Sequence, residues 1–403
     1  MGDFFQNGVI TTLHNLAGRD AASLETDLAA WSAKRPMALI IPSLVTEMDG
    51  EGLPRIVEVL SEVDYLEEII IGLDRADEAG FERARGFFDQ LQVRHRILWN
   101  EGPRLRAVHD RLLERNLAPL EMGKGRNVWY SMGYFLASGR SSVVALHDAD
   151  ILTYSRDMLA RLLYPVASPS FGYAFCKGYY FRAGDGRLNG RVARLLVTPL
   201  IRALQQTLGQ DDYLDYLDSF RYPLAGEFSM DADVVRGLRI PFDWGLDIGV
   251  MSEVYRDYST RRICQVDLAD AYDHKHQDVS EDDPEQGLHR MAIDISKSMY
   301  RKLAISGQVF SPGVFRTLKA TYYRIALDMV DRYLHDAEMN GFVVDRNSEQ
   351  QLVELFAQAI TTAGEHYLSR PMELPFMPSW TVVHDAVPDI YEQLVDAVEA
   401  DNA

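Results

Sequence analysis

Four apolar runs punctuate the first part of the chain: MALIIP at 37–42, EEIIIGL at 67–73, VRHRILW at 93–99 and VVALH at 143–147. Their shortness and β-branched content predict buried strands. Between them the apolar positions switch to helical spacing. Pro54 opens PRIVEVLSEV where a first helical turn tolerates proline, and RNVWYSMGYFLAS follows the glycine-rich turn at Gly123 to Gly125. Strand and helix alternating in this way predict an α/β fold, a mostly parallel sheet with helices on both faces that binds ligands outside the carboxyl ends of its strands. Beyond about residue 280 the pattern turns to long helical stripes. Asp283-Pro284 reads as a start for Leu288, Met291, Ile295 and Met299; Phe315, Leu318, Tyr322, Ile325, Met329 and Tyr333 form a second stripe closed by Asn340-Gly341; and Ser348 with Gln351 reads as a capping box before Leu352, Leu355, Phe356, Ala359 and Ile360. Stripes on several segments need a partner surface, either the sheet region or a second subunit, and a homodimer is the expectation.

Composition narrows the class. The 403 residues carry a formal charge of -19, which opposes nucleic acid and anionic membrane at long range, so an anionic small substrate needs a local basic pocket. The two cysteines, Cys176 and Cys264, are far apart in sequence, which provides neither a disulfide framework nor a cysteine zinc site. With no basic segment leading into an apolar core at the start and no apolar run near the length of a membrane span, a soluble cytoplasmic protein is expected.

The candidate chemistry begins where VVALHDADI runs a strand into Asp148 and Asp150. Two hard carboxylates at a strand end suit Mg²⁺ or Mn²⁺, which keep positions open for phosphate oxygens. Upstream, MGKGRN sets Lys124 between glycines before a helix, so backbone N–H groups and an ammonium face a phosphate together; the glycine spacing is not that of a Walker A loop. Downstream, AYDHKHQD offers His274 and His276, between which spacing does not choose. PLAGEFSM and FDWGLDIGV set Glu227 and Asp247 in tight glycine turns, suited to gripping sugar hydroxyls. Lys177, Arg182, Arg187, Arg191 and Arg194 make 176–196 the most basic stretch, a candidate for an anionic acceptor.

Taken in order, IPSL, GLD, GKG, DAD, CKGYYFR, NGRV, PLAGE, DWGLD and DH resemble the retaining glucosyl-3-phosphoglycerate synthases and the related mannosylglycerate-forming enzymes. The resemblance spans roughly residues 37 to 280, and FFQNGVITTLHNL is similar to the opening of longer prokaryotic members. It implies a GT-A, Rossmann-like nucleotide-sugar transferase domain at 37–280, with a donor half to about 150 and an acceptor half from 151, preceded by an arm and helix at 1–36 and followed by a helical region at 281–403. The implied reaction is retaining transfer of glucose from an NDP-glucose, in its UDP, GDP or ADP form, to 3-phosphoglycerate, on the route to the compatible solute glucosylglycerate. By the same resemblance Pro42, Leu44, Glu47 and Asp74 line the nucleotide pocket and Lys124 reaches the diphosphate. Asp150 is the main metal ligand, Asp148 serves ribose and metal, Ala149 lies on the donor between them, and His274 is the third metal anchor. Glu227 and Asp247 hold the hexose or the acceptor hydroxyl, while Arg191 with Gly190 and Lys177 serves the phosphoglycerate. Two positions depart from the family pattern: Ala193 replaces a threonine two residues after Arg191, and PLAGE replaces PLGGE at Ala225. The same framework serves a mannose donor or free glycerate, and a metal-dependent nucleotidyltransferase or NDP-sugar hydrolase needs the same diphosphate clamp without an acceptor pocket.

Overall fold

The computed structural model describes residues 6, 8–119, 121–184, 186–269, 272–273, 287–373 and 375–403. The four apolar runs form strands β2 (Met37–Leu44), β3 (Glu68–Asp74), β4 (His95–Trp99) and β5 (Val143–Leu146), within a residue or two of the boundaries expected from sequence. Four more strands join them: β1 (Thr11–Leu13), β6 (Phe175–Tyr180), β9 (Phe228–Asp231) and β10 (Ile263–Ala269). A two-strand hairpin, β7 (Ala183–Gly184) with β8 (Arg187–Leu188), lies apart. The sheet runs β1-β10-β6-β9-β5-β2-β3-β4. Every pair is parallel except the two that β9 makes, with β5 and with β6.

That one reversal matters for chemistry. Parallel strands put only their carboxyl ends at the ligand edge, whereas an antiparallel strand starts there. Leu146 is opposite Phe228, so the residue before β9, Glu227, comes to the edge at which β5 delivers Asp148. Glu227 therefore sits at a strand entry and not in the free turn its glycine neighbour suggests.

The cysteines that are far apart in sequence are direct partners in the β6–β10 register, both fully buried. Parallel pairing across a long crossover brought them together, which spacing along the chain does not reveal.

The three long stripes become helices Leu288–Ile305, Pro312–Met339 and Arg346–Ser369. Met299, Leu318, Tyr322, Phe356 and Ile360 are buried in one continuous core with Ile40, Val128 and Leu146 of the sheet region. The partner these stripes require is supplied within the chain. The third helix starts earlier than its capping box implies. Asp345 is the N-cap, accepting from the Asn347 amide, while Ser348 lies inside the first turn and donates its hydroxyl to Asp345 at 2.5 Å. Aspartate and serine both cap well, and here the upstream carboxylate takes the orphan amide. The helix start expected at Asp283-Pro284 lies outside the described residues.

Helix Lys124–Ser138 crosses the sheet with Trp129 stacked on Trp380 at 4.3 Å, and each indole N–H donates to a backbone carbonyl, Trp129 to Pro378 and Trp380 to Trp129. Helix Ile390–Asp401 packs beside it. There Glu399 accepts from Arg94 at 2.7 Å, Arg96 at 2.9 Å and Tyr134 at 2.8 Å. Burial alone would raise the Glu399 pKa, but these donors outweigh it and hold the carboxyl at about 2 against an ordinary 4.5. A depressed carboxyl stabilises the fold fully above its unfolded pKa and loses that contribution as pH falls through the folded value. The stability difference between the native chain and Glu399→Gln should therefore be widest above about pH 4.5 and shrink steadily toward about pH 2. Urea midpoints followed by circular dichroism at both ends of that window check it; a difference independent of pH contradicts it.

Candidate active site

Strand β5 is buried throughout, and its pairing extends one residue further through the His147 amide donating to the Ile40 carbonyl at 3.1 Å. His147 and Ala149 are buried, so alternation leaves Asp148 and Asp150 half-buried at the edge. Gly226 is packed on the Asp148 carboxylate so closely that a Cβ there would lie 2.5 Å from Oδ2. Ala225, the departure from the family's PLGGE, is fully buried among core side chains. The glycine that the site requires is thus the retained one.

Lys124 is the first residue of its helix, and its ammonium pairs with Asp148 Oδ1. The helix start can approach this closely because Gly125 lies against the Pro241 carbonyl, where a Cβ would sit 2.5 Å away. Lys177, fully buried in β6, donates to the Ala225 carbonyl at 2.6 Å and reaches Asp247 Oδ1 at 3.3 Å. Asp247 occupies the first turn of helix Leu246–Asp257, not a tight turn, so the helix N-terminus as well as Lys177 favours its charge.

Glu227 is fully buried, and its two oxygens accept from the hydroxyls of Tyr180 at 2.8 Å and Tyr272 at 2.6 Å. Those rings stack 3.6 Å apart, and Tyr222 tilts against Tyr180 at 5.0 Å. None of the three tyrosines is evident as a site residue from sequence; Tyr180, at the end of β6, and Tyr272, just after β10, meet Glu227 because the sheet brings those strand ends together, and Tyr222 packs on Tyr180.

The electrostatics follow from crowding. Burial and the nearby Asp148 raise the Glu227 pKa against its tyrosine donors and Lys124, and burial raises that of Asp247 against Lys177 and Lys124. Burial depresses the Lys177 ammonium. For Lys124 burial acts the same way, but Asp148 and Asp247 outweigh it and its pKa ends above the ordinary value.

Of the residues expected at the nucleotide pocket, Leu44 and Asp74 are register partners at the carboxyl ends of β2 and β3, Pro42 pairs with Gly72, and Glu47 follows in the 3-10 turn Val45–Asp49. Asp74 accepts from the Asn100 amide at 2.6 Å, with Arg126 3.9 Å away and itself bound to Glu101 at 2.9 Å. Burial pushes the Asp74 pKa up to about 6. Lys124 and Arg126, two residues apart on one helix start, therefore span from the aspartate pair to Asp74.

The basic stretch divides. Gly190, with φ of 71°, packs on the Tyr222 ring and leads into Arg191, which is half-buried. Arg187 is exposed. Arg194 is structural: it is buried, forks onto Glu349 at 2.8 and 3.1 Å, and so ties this segment to the third long helix. Ala193, buried, begins a π-helical turn over Ala193–Val197.

The donor set at Asp148 and Asp150 is two hard oxygen carboxylates, one of them already holding a cationic ammonium, and it fits Mg²⁺ or Mn²⁺. Among the described residues no three His, Cys, Asp or Glu side chains are placed to hold a metal ion together. His274 and His276 lie outside the described residues; the preceding Asp273 donates its amide to Thr153 and accepts from the Leu152 amide, just beyond Asp150.

No family model matches the sequence. Curated relatives do. A glucosyl-3-phosphoglycerate synthase of Persephonella marina is 42% identical over 403 residues, all of both chains, and one of Methanococcoides burtonii is 37% identical over 99% of this chain and 98% of its own. The chain belongs to the glucosyl-3-phosphoglycerate synthases. Among solved structures, the Mycobacterium tuberculosis synthase with Mn²⁺, UDP and glucosyl-3-phosphoglycerate matches at a TM-score of 0.54 and 20% identity, covering 73% of this chain and 88% of that one. The same synthase with Mg²⁺ and UDP also matches at 0.54. These neighbours share the GT-A glycosyltransferase fold. Within this synthase, the close contact at Gly226 predicts that Gly226→Ala displaces the Asp148 carboxylate and weakens Mn²⁺ binding at least tenfold, whereas Ala225→Gly costs only about 1 kcal/mol of stability. Electron paramagnetic resonance of free Mn²⁺ with thermal melts distinguishes the two; equal Mn²⁺ affinity in Gly226→Ala and the native chain contradicts the assignment.

Proposed function

We propose that this synthase transfers glucose from an NDP-glucose to 3-phosphoglycerate with retention, using Asp148 and Asp150 as the metal clamp, Lys124 on the diphosphate, Glu227 and Asp247 on hydroxyls, and Arg191 on the acceptor's anionic groups. The observation that carries this reading is the convergence of Lys124, Asp148, Lys177, Glu227 and Asp247 at one sheet edge. A bound divalent cation supplies charge neutralisation for the departing diphosphate. Lys124, preorganised at a helix start, transfers its ammonium contact from Asp148 to the phosphate oxygens as charge grows there. Asp247 is held by Lys177 and both Glu227 oxygens are occupied by tyrosine hydroxyls, so neither carboxylate is set up as a free nucleophile. This favours front-face attack, in which the acceptor hydroxyl bonds to the anomeric carbon as the bond to the diphosphate breaks and a leaving phosphate oxygen takes the proton.

UDP-, GDP- and ADP-glucose and GDP-mannose offered against 3-phosphoglycerate and glycerate test the reading, with product mass and anomeric configuration as the readout. An α-glucosyl phosphoglycerate is expected. Sugar release that is indifferent to 3-phosphoglycerate identifies an NDP-sugar hydrolase instead. Arg191→Ala should raise KM for 3-phosphoglycerate by about 1.5–3 kcal/mol, the loss of one charge-assisted contact, with donor affinity little changed. Arg191→Lys should recover only part, having charge without the planar fork. A loss confined to donor binding would move Arg191 to the donor site.

A further inference from the structure

Among the described residues strand β4 is the end of the sheet, with β3 on one side and no strand on the other. An edge strand leaves every second residue's N–H and C=O unpaired. At Ile97 both are taken by one side chain: the Ile97 amide donates to Asn402 Oδ1 at 3.0 Å, and Asn402 Nδ2 donates to the Ile97 carbonyl at 2.9 Å. A carboxamide carries the same donor and acceptor as a peptide unit, so Asn402 takes the place of a residue of a ninth strand. Its amide is itself oriented by the Val398 carbonyl at 2.8 Å, at the end of helix Ile390–Asp401.

The contacts flanking Ile97 come from the same helix. Glu399 binds Arg94 and Arg96 before it, and Asp401, 7% exposed, pairs with Arg104 beyond it. Residues 94–104 are thus held at both ends and in the middle by Glu399, Asp401 and Asn402. Between Ile97 and Arg104 lie the two residues of this strand end that reach the donor half: Asn100, whose amide is on Asp74, and Glu101, which holds Arg126. Among the described residues neither Asp74 nor Arg126 hydrogen-bonds helix Ile390–Asp401 directly, although the helix carrying Arg126 packs beside it. Pairing with β3 sets the register of β4 up to Trp99, and the Asn402 carboxamide holds the outer side of the same strand at Ile97, three residues before Asn100.

We propose that Asn402, supported by Glu399 and Asp401, is a positioning residue for nucleotide-sugar binding, acting through β4 on Asn100 and Glu101. The proposal rests on the reading that the nucleotide lies beside Asp74. A contact that served stability alone would lower the unfolding midpoint and leave the two substrates' constants in their native ratio. A positioning contact splits them, because the acceptor side, built on β6, β9 and Arg191, shares no hydrogen bond with residues 94–104 among the described residues.

The experiment measures KM for the preferred NDP-glucose and for 3-phosphoglycerate in the full chain carrying Asn402→Ala, Asn402→Asp, Asn100→Ala and the Asn402→Ala/Asn100→Ala pair, with thermal midpoints alongside. Asn402→Ala should raise the donor KM roughly fivefold, the worth of about one net hydrogen bond, and leave the acceptor KM unchanged. Asn402→Asp keeps the acceptor for the Ile97 amide and loses the donor, so it should fall between. In the Asn100→Ala background, Asn402→Ala should raise the donor KM by clearly less than its full fivefold, since the part of its effect that runs through Asn100 is already lost. If Asn402→Ala fails to fold, Glu399→Gln, a milder change at a partly exposed carboxylate, should show the same donor-only split. Unchanged donor KM in folded Asn402→Ala, equal rises in both constants, or full additivity with Asn100→Ala overturns the proposal. The underlying reading fails separately: it is lost if Asn100→Ala and Asp74→Asn both transfer glucose with a native donor KM.

Discussion

Three carboxylates, Asp148, Glu227 and Asp247, crowd against two ammonium groups, Lys124 and Lys177, and the sheet edge is organised around that surplus of negative charge. Carboxylates brought together away from water repel and lose hydration, so each must be matched or it takes up a proton. The two lysines bring two positive charges to these three carboxylates, and Asp150 stands half-buried beside them. In the proposed reaction a divalent cation held at Asp148 and Asp150 would add positive charge here, and it and Lys124 would receive the diphosphate. On that reading binding and chemistry share one electrostatic origin, since the charges that offset the crowded carboxylates are those that would stabilise the leaving group.

The fold holds this cluster together by topology. β9, antiparallel in an otherwise parallel sheet, delivers Glu227 and Gly226 to the edge where β5 ends, and Gly226 admits the Asp148 carboxylate at a distance no side chain allows. The helix carrying Lys124 is anchored by the Trp129–Trp380 stack, so a residue far along the chain helps to fix the position of the ammonium. The long helices after residue 287 complete the same core, and the buried Arg194–Glu349 fork joins one of them to the segment that bears Arg191.

What could be read from the sequence was what is local. VVALHDADI shows a strand ending in two carboxylates because the alternation is contained in nine neighbouring residues, and GKG shows a helix start because glycine and lysine adjoin it. Pairings across the sheet were not legible: Tyr180 and Tyr272 meet on Glu227 only because β6, β9 and β10 lie close together, and Cys176 faces Cys264 for the same kind of reason. Local signals also misled where two residues competed for one role. Asp345 took the cap that Ser348 seemed to offer, and Arg194, one of five cations in a basic stretch, was drawn into an internal ion pair that no composition count can see.

The claim that the site is organised by the excess of carboxylates over ammonium groups is tested most directly by Mn²⁺ affinity without nucleotide, followed by electron paramagnetic resonance in the native chain and in Lys124→Gln. Removing the ammonium takes one positive charge away from Asp148 and enlarges the negative excess, so Mn²⁺ should bind several-fold more tightly to Lys124→Gln while nucleoside diphosphate binds more weakly. Mn²⁺ affinity that falls or stays the same in Lys124→Gln, with nucleotide binding intact, would contradict it.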